Sequence, residues 1–560
     1  MMKFLFQKNR FLIVVCFGLV LLSCESSKVS ADSIVFNATI WTGNDKTPYA
    51  EAFAISGDKI LEIGAKEEVM KWQGDSTKLI DADEKFITPG FIDSHVHLIS
   101  GGRSLLSVDL RDAETPEEFT RRISEYAERK KSGTWILEGN WDHTLWGGEL
   151  PQKEWIDEHT SENPVAVFRL DGHMALANSK ALEIAGINKN TPDIEGGEIV
   201  RNNSGIPTGI LKDNAMNLLF DQMPVMTSSE KEYAFKAAMN YFLSNGVTSV
   251  HDVDGLSDGL GSYHTAENLM ESGELSIRIY AAKPLSQWKE LANAKRTNNE
   301  WLKTGGLKGF VDGSLGSHTA AFNEGYSDKV DDKGFFINSE NDLYQSISGA
   351  DSANLQIMVH AIGDRAIHSL LNIYERIIEE NGKKDRRLRI EHAQHIAPED
   401  IKRFAELGVI ASMQPYHAID DGRWAENLIG PERIKTTYAF KSLLDSQTAI
   451  AFGSDWAVAP ATPLEGIYAA VTRRTLDGKN PNGWVPEEKI SVEQALKAYT
   501  TNGAFASFNE NIKGSLEKGK LADFVVVDKD ITKIEPVEIR EARIIQTYVG
   551  GEKVFDIDEK

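Results

Sequence analysis

Through the middle of the chain, short apolar runs rich in β-branched residues alternate with longer stretches of helical texture. That order predicts a parallel sheet whose strands are joined by helices. Eight runs read as core strands, at 88–97, 246–253, 276–282, 307–313, 355–361, 388–394, 409–415 and 449–455. Eight such units predict an α/β fold of the (β/α)8 TIM-barrel type. Residues from about 102 to 226 break the spacing and carry runs of their own, TWILEGNWD and PVAVFRLDGH, so they read as an insertion after strand one. Segments that follow barrel strands lie over the mouth, where ligands bind. Trp135, Trp141, Trp146 and Trp155 fall in this insertion and read as its private core.

The two ends have a different texture. Residues 32–87 and 501–560 consist of short strand-like runs, with Gly57-Asp58 and Gly550-Gly551 as turn signals. Each fragment is short for a core of its own. Together they are expected to build one small β-sandwich domain beside a barrel spanning 88–500. Ahead of them, Lys3, Lys8 and Arg10 precede an unbroken apolar stretch from Phe11 to Leu22. It is shorter than the roughly 20 residues that span a bilayer, and has the shape of a signal peptide over 1–23. Leu21-Leu22-Ser23-Cys24 resembles a bacterial lipobox, so Cys24 is expected to be lipidated and 24–31 to be a tether. The expected location is outside the cytoplasm, as a membrane-anchored lipoprotein facing the periplasm or cell exterior.

Composition narrows the function. Acidic residues outnumber basic ones 84 to 61, a net charge of -23, and no Lys/Arg-rich block interrupts that balance. Such a field repels phosphate backbones, which argues against nucleic acid as a partner. The only cysteines are Cys16 and Cys24, so signal removal leaves no pair for an intramolecular disulfide and no thiol for metal or nucleophile.

The chemistry left to consider is that of imidazole, carboxylate and amine. A strand sends alternate side chains to one face, so His95 and His97 project together from the end of the first run. His360, His392 and Asp455 lie at the ends of three other runs, and Lys308 lies in the fourth. In a barrel, polar residues at the C-terminal strand ends converge on one site. His173 and Asp171 in the insertion, and Asp312 after the fourth run, are candidates to line the substrate pocket, although an Asp-Gly setting also suits Asp312 to a turn. His143, His159, His264, His368, His395 and His417 read as structural or surface residues, and His251 as a hydrogen-bonding support.

The motifs PGFIDSHVH, GVTSVHD, LKGFVDGSLGSHTAAF, HAIGDRAI, RIEHAQ and FGSDW, followed by GSLEKGKLADFVVVD, resemble those of the amidohydrolase superfamily, in particular amidohydrolase family 3. RLDGHMALANSKAL and GIPTGILKDNA in the insertion are similar to the same branch. The resemblance implies a divalent metal site holding one or two zinc ions. It assigns His95, His97 and Asp455 to the more buried ion and His360 and His392 to the second. Lys308 becomes the bridge if its amine is carboxylated; Lys212, in the insertion, is the weaker alternative. Asp455 is also implied as catalytic base.

The expected function is hydrolysis of a C–N bond (amide, N-acyl or N-formyl) in a small molecule by metal-activated water. The alternatives are a deaminase or ester/lactone hydrolase on the same site, or a non-catalytic binding lipoprotein. The expected partners are a small-molecule substrate and, through the lipid anchor alone, a membrane; oligomeric state stays open.

Overall fold

The computed structural model describes residues 30–254 and 261–559. The signal segment and Cys24 therefore lie outside the described residues, and among these no helix is long and apolar enough to cross a membrane.

The eight predicted runs form one parallel sheet in chain order: β1 (Phe91–Val96), β2 (Val247–Asp252), β3 (Arg278–Pro284), β4 (Leu302–Phe310), β5 (Gln356–Ala361), β6 (Arg389–His392), β7 (Ile410–Met413) and β8 (Ile450–Phe452). The sheet closes just past β8: Val96 bridges Trp456 in parallel, and the Asp455 amide donates to the His95 carbonyl at 2.8 Å. Closure thus brings the ends of β1 and β8 together, where the barrel's chemistry is expected.

One strand departs from expectation. β4 begins at Leu302, ahead of the apolar run at 307. Its second residue, Lys303, is held by the carbonyls of Ser507 and Phe508, so a charged residue sits near the start of the ladder where hydrophobicity alone shows no strand. The helix Thr501–Ala506 likewise belongs to the barrel's outer layer, ahead of the C-terminal β-strands. Gly503 makes this possible, because a Cβ there would come within 2.9 Å of the Ile92 side chain.

Both chain ends build the β-sandwich. Phe86–Pro89 pairs antiparallel with Phe524–Val527 at the centre of a six-stranded sheet. A four-stranded sheet that includes Ser33–Phe36 and Ala52–Ser56 packs against it through Val35, Phe53 and Ile55 on Phe524 and Tyr548. Gly57, Gly550 and Gly551 occupy the left-handed region in its turns, as the turn signals require. The insertion folds as a five-stranded sheet of its own, with Trp141, Trp146 and Trp155 in its core beside the helix Pro116–Glu128. Its Arg111 donates to the carbonyls of Ala457 and Val458, fastening the insertion to the loop after β8.

Candidate metal centre and active-site cavity

His95, His97, His360, His392, Lys308 and Asp455 come together at the C-terminal mouth of the barrel. Ligand atoms of His95, His392 and Asp455 lie within 4.8 Å of one another. His97 Nε2 is 3.3 Å from Asp455 Oδ1. The rings of His360 and His392 are 4.5 Å apart, centroid to centroid. Lys308 Nζ donates to His95 Nε2 at 2.9 Å. Lys212 instead pairs with Glu198 on the insertion sheet, at 2.9 Å.

Each imidazole is oriented from behind. His95 Nδ1 gives its proton to Glu391 at 2.5 Å, which leaves the Nε2 lone pair facing Asp455 and Lys308. His392 Nδ1 donates to Gln414 Oε1 at 2.9 Å, and His360 Nε2 to the Gly313 carbonyl at 3.0 Å. His97 Nδ1 lies 3.6 Å from Asp254, whose carboxylate also accepts from the amide and hydroxyl of Ser100. Rings held this way present a fixed lone pair, the condition for ordered metal coordination.

Backbone conformation contributes as well. His392 and Asp455 have φ of 72° and 58°, in the left-handed region that non-glycine residues seldom occupy. At His392 this interrupts the strand's alternation, so that consecutive side chains, Glu391 and His392, both reach the site. Beneath them Arg389 binds Glu391, His251, Ser412 and the Ser94 carbonyl, forming a buried polar layer across the barrel.

Electrostatics sort these groups. Burial, joined by the Lys308 charge, pushes His95 down to about 4. Burial and neighbouring cations also hold His360 and His392 well below the usual imidazole range. These rings are neutral lone-pair donors at pH 7. At His97 burial works in the same direction, but Asp254 and Asp455 outweigh it and raise the ring to about 9, so the place calls for positive charge. Asp455 is buried, yet His95, His97 and His392 keep it ionised. Burial brings Lys308 down to about 8, against the pull of Glu391 and Asp455.

Above the cluster opens a cavity of about 830 Å3, walled by the insertion on one side and by the segment after β7 on another. His173 lines it, with its Nδ1 2.6 Å from Asp213 and its ring 5.2 Å from that of His360. Asp171 also lines it, held by Arg169 and the hydroxyls of Ser314 and Ser317. Asp312 has a different place from the pocket-lining one expected of it. It is fully buried, and its carboxylate accepts the amides of Ala321, Ile362 and Gly363 at 2.8 to 3.0 Å, which ties the loop after β4 to the one after β5.

Several contributors escape sequence reasoning. Glu391, Asp254 and Gln414 act behind the imidazoles, and nothing in their local pattern separates them from ordinary polar residues. His417, read as structural or surface, lines the cavity, with Asp420 and Asp421 on the same helix, Pro415–Asp421. Proximity to β7 was the available signal, since segments after barrel strands face the mouth.

The model of the amidohydrolase family matches residues 78–555. The chain belongs to that family. This amidohydrolase is 40% identical over 540 residues to Protein LONG AFTER FAR-RED 3 of Arabidopsis thaliana, across 94% of this chain and 92% of that one. It is 27% identical over 548 residues to the N-substituted formamide deformylase of Arthrobacter pascens, across 93% and 97% of the two chains. Among solved structures, an uncharacterized metal-dependent hydrolase from Pyrococcus horikoshii OT3 superposes with a TM-score of 0.73 at 28% identity, covering 90% of this amidohydrolase and 99% of that chain.

Proposed function

We propose that the protein is a metal-dependent amidohydrolase that cleaves an amide, N-acyl or N-formyl C–N bond in a small molecule. The observation that carries this reading is the meeting of four imidazoles and one ionised carboxylate at the base of a single cavity, lined by His97, His360, His392 and Asp455 with His95 buried behind them. The relative whose name specifies N-substituted formamides supports the choice of bond.

The residues fit a divalent cation. Nitrogen and oxygen donors of this type suit zinc. His95, His97 and Asp455 would hold one ion, and His360 and His392 a second, with Lys308 between them as a carbamate. In that modification the neutral amine bonds to the carbon of CO2 and releases a proton, and the lowered pKa of Lys308 favours the neutral amine it needs. A bound zinc supplies Lewis acidity, lowering the pKa of water toward about 7 and polarising a carbonyl. Asp455, ionised and directed into the cavity, takes the proton of the attacking water and returns it to the leaving amine. His173, oriented by Asp213, contacts the substrate beside His360.

The test is turnover of a panel of N-formyl and N-acyl amines by metal-replete protein, followed as amine release, together with metal content per chain. Amine release that disappears on chelation and returns with zinc supports the reading. Turnover of esters alone would replace it. We also propose export, with lipid on Cys24; a Cys24→Ala chain found in the soluble fraction is the expected result.

A further inference from the structure

The part of the cavity wall built by the insertion and the segment after β7 carries more carboxyl groups than its own cations balance. Four carboxylates meet there, those of Asp142, Asp171, Asp420 and Asp421, all of which line the cavity. Two guanidinium groups serve them. Arg169 reaches Asp142 at 3.0 Å and Asp171 at 2.5 Å. Arg423 pairs with Asp420 and lies 3.6 Å from Asp142. The remaining partners are neutral: Tyr438 and Gln394 donate to the same oxygen of Asp421 at 2.5 and 2.7 Å, and Ser314 and Ser317 donate to Asp171. The imidazole beside Arg169, His143, is held neutral by burial and the guanidinium. Among the described residues the cluster therefore sets four carboxyls against two guanidinium groups, and burial raises both Asp420 and Asp421 above the usual carboxyl range. A cation seated beside them would favour their ionised forms, because an opposite charge at close range stabilises a carboxylate.

A second observation points to a ligand here. Asp213 is 7% exposed and lines this cavity, yet its Oδ2 has no hydrogen-bond partner. The nitrogen His417 Nε2, on the helix that carries Asp420 and Asp421, is also buried and unpartnered. Unsatisfied buried groups are rare unless something else completes them. The acidic wall and Asp455 line the same cavity, and His417 lines it with them. Phe168, Phe310 and Leu315 supply apolar lining for a short carbon chain in the same cavity.

We propose that the substrate is an amide of a small amine carrying a second, positively charged group, an ammonium or guanidinium, which seats against Asp420, Asp421 and Asp142 while the scissile bond lies over the histidine cluster. This inference rests on the amidohydrolase reading above. It adds the chemical class of the substrate's distal end.

The experiment separates the two claims by measuring binding apart from turnover. Metal-replete full-length protein is titrated calorimetrically with three amines of matched length: putrescine with a cationic tail, aminobutanol with a neutral one and γ-aminobutyrate with an anionic one. The expected order is putrescine tightest, by about tenfold over aminobutanol (one modest charge pair), with γ-aminobutyrate weakest and the preference shrinking as salt is added. That preference should fall toward unity in Asp421→Asn and in Asp420→Asn and persist in Asp221→Asn, an exposed carboxylate on the cavity rim. Two substitutions in the wall guard against one of them failing to fold. Equal affinities for putrescine and aminobutanol, or a preference that survives both wall variants, would overturn the cation subsite. Monoformyl-putrescine is then assayed for hydrolysis. Selective putrescine binding without hydrolysis of any formamide removes the enzymatic reading and leaves the subsite standing, whereas formamide hydrolysis indifferent to the tail does the reverse.

Discussion

Asp455, just past the end of β8, and Asp421, at the end of the helix that follows β7, open onto one cavity in opposite electrostatic surroundings. Both are buried. Burial alone would raise each of them, and at Asp455 the ring of imidazoles more than offsets it, so the carboxylate stays ionised. Asp421 has Tyr438 and the arginines in its favour, but burial and the adjacent Asp420 prevail and push it up to about 7. The barrel mouth thus sets its carboxylate among imidazoles, while the wall crowds carboxyls against one another. Under the proposed function the first setting makes a base and a metal ligand, and under the further inference the second makes a docking point.

The sharpest way to break the comparison is at the base. Asp455→Asn should lower kcat/KM by about 10^3 to 10^4-fold, within the range for loss of a positioned proton acceptor, with circular dichroism unchanged; near-normal turnover would remove Asp455 from the mechanism. The sandwich supplies the control, remote from both carboxylates. Phe53 and Phe524 meet edge to face there at 4.9 Å. Phe524→Ala should cost about 3–5 kcal/mol of stability in denaturant melts, with metal content per folded chain unaltered.

Next in size is the support behind the first ligand. Glu391→Gln keeps the side chain's shape but weakens its hold on His95, and should reduce zinc retention by about 10 to 100-fold in chelator competition. Unchanged zinc affinity would reduce Glu391 to a packing role. The smallest effect concerns the wall. Asp421 titrates near 7 in the folded chain against 3.8 ordinarily, so between those values the native state keeps a proton that the unfolded chain has released. Stability attributable to this group therefore falls as pH rises across that window. Asp421→Asn should flatten the decline and, at pH 7.5, gain on the order of 1 kcal/mol; thermal melts between pH 5 and 7.5 that coincide for the two proteins would show that the carboxylate costs the fold nothing.

How much of this was legible beforehand differs from residue to residue. His95, His97, His360, His392 and Asp455 could be found because each ends an apolar run, and barrel topology sends strand ends to one place. The signal for His173 was weaker, since it sits in an insertion whose path over the mouth has no period. Asp312 illustrates the reverse problem. Its Asp-Gly setting after β4 suited either pocket or turn, and only the positions of the Ala321, Ile362 and Gly363 amides gave it the backbone-pinning place it occupies. Glu391 escaped notice because strand alternation points it away from a site that His392 faces; the left-handed φ at His392 removes that alternation.

Hydrophobic period and strand-end chemistry alone thus determined the barrel, the two-ended sandwich and the identity of the residues at the mouth, because these depend on local pattern repeated along the chain. Which nitrogen of each imidazole is free, which carboxylates are balanced, and the approach of the insertion and the post-β7 segment to one cavity were decided by tertiary structure. Those properties are set by distances of a few ångströms between residues hundreds of positions apart, as with the 2.5 Å between His95 and Glu391, and no local pattern encodes such a distance.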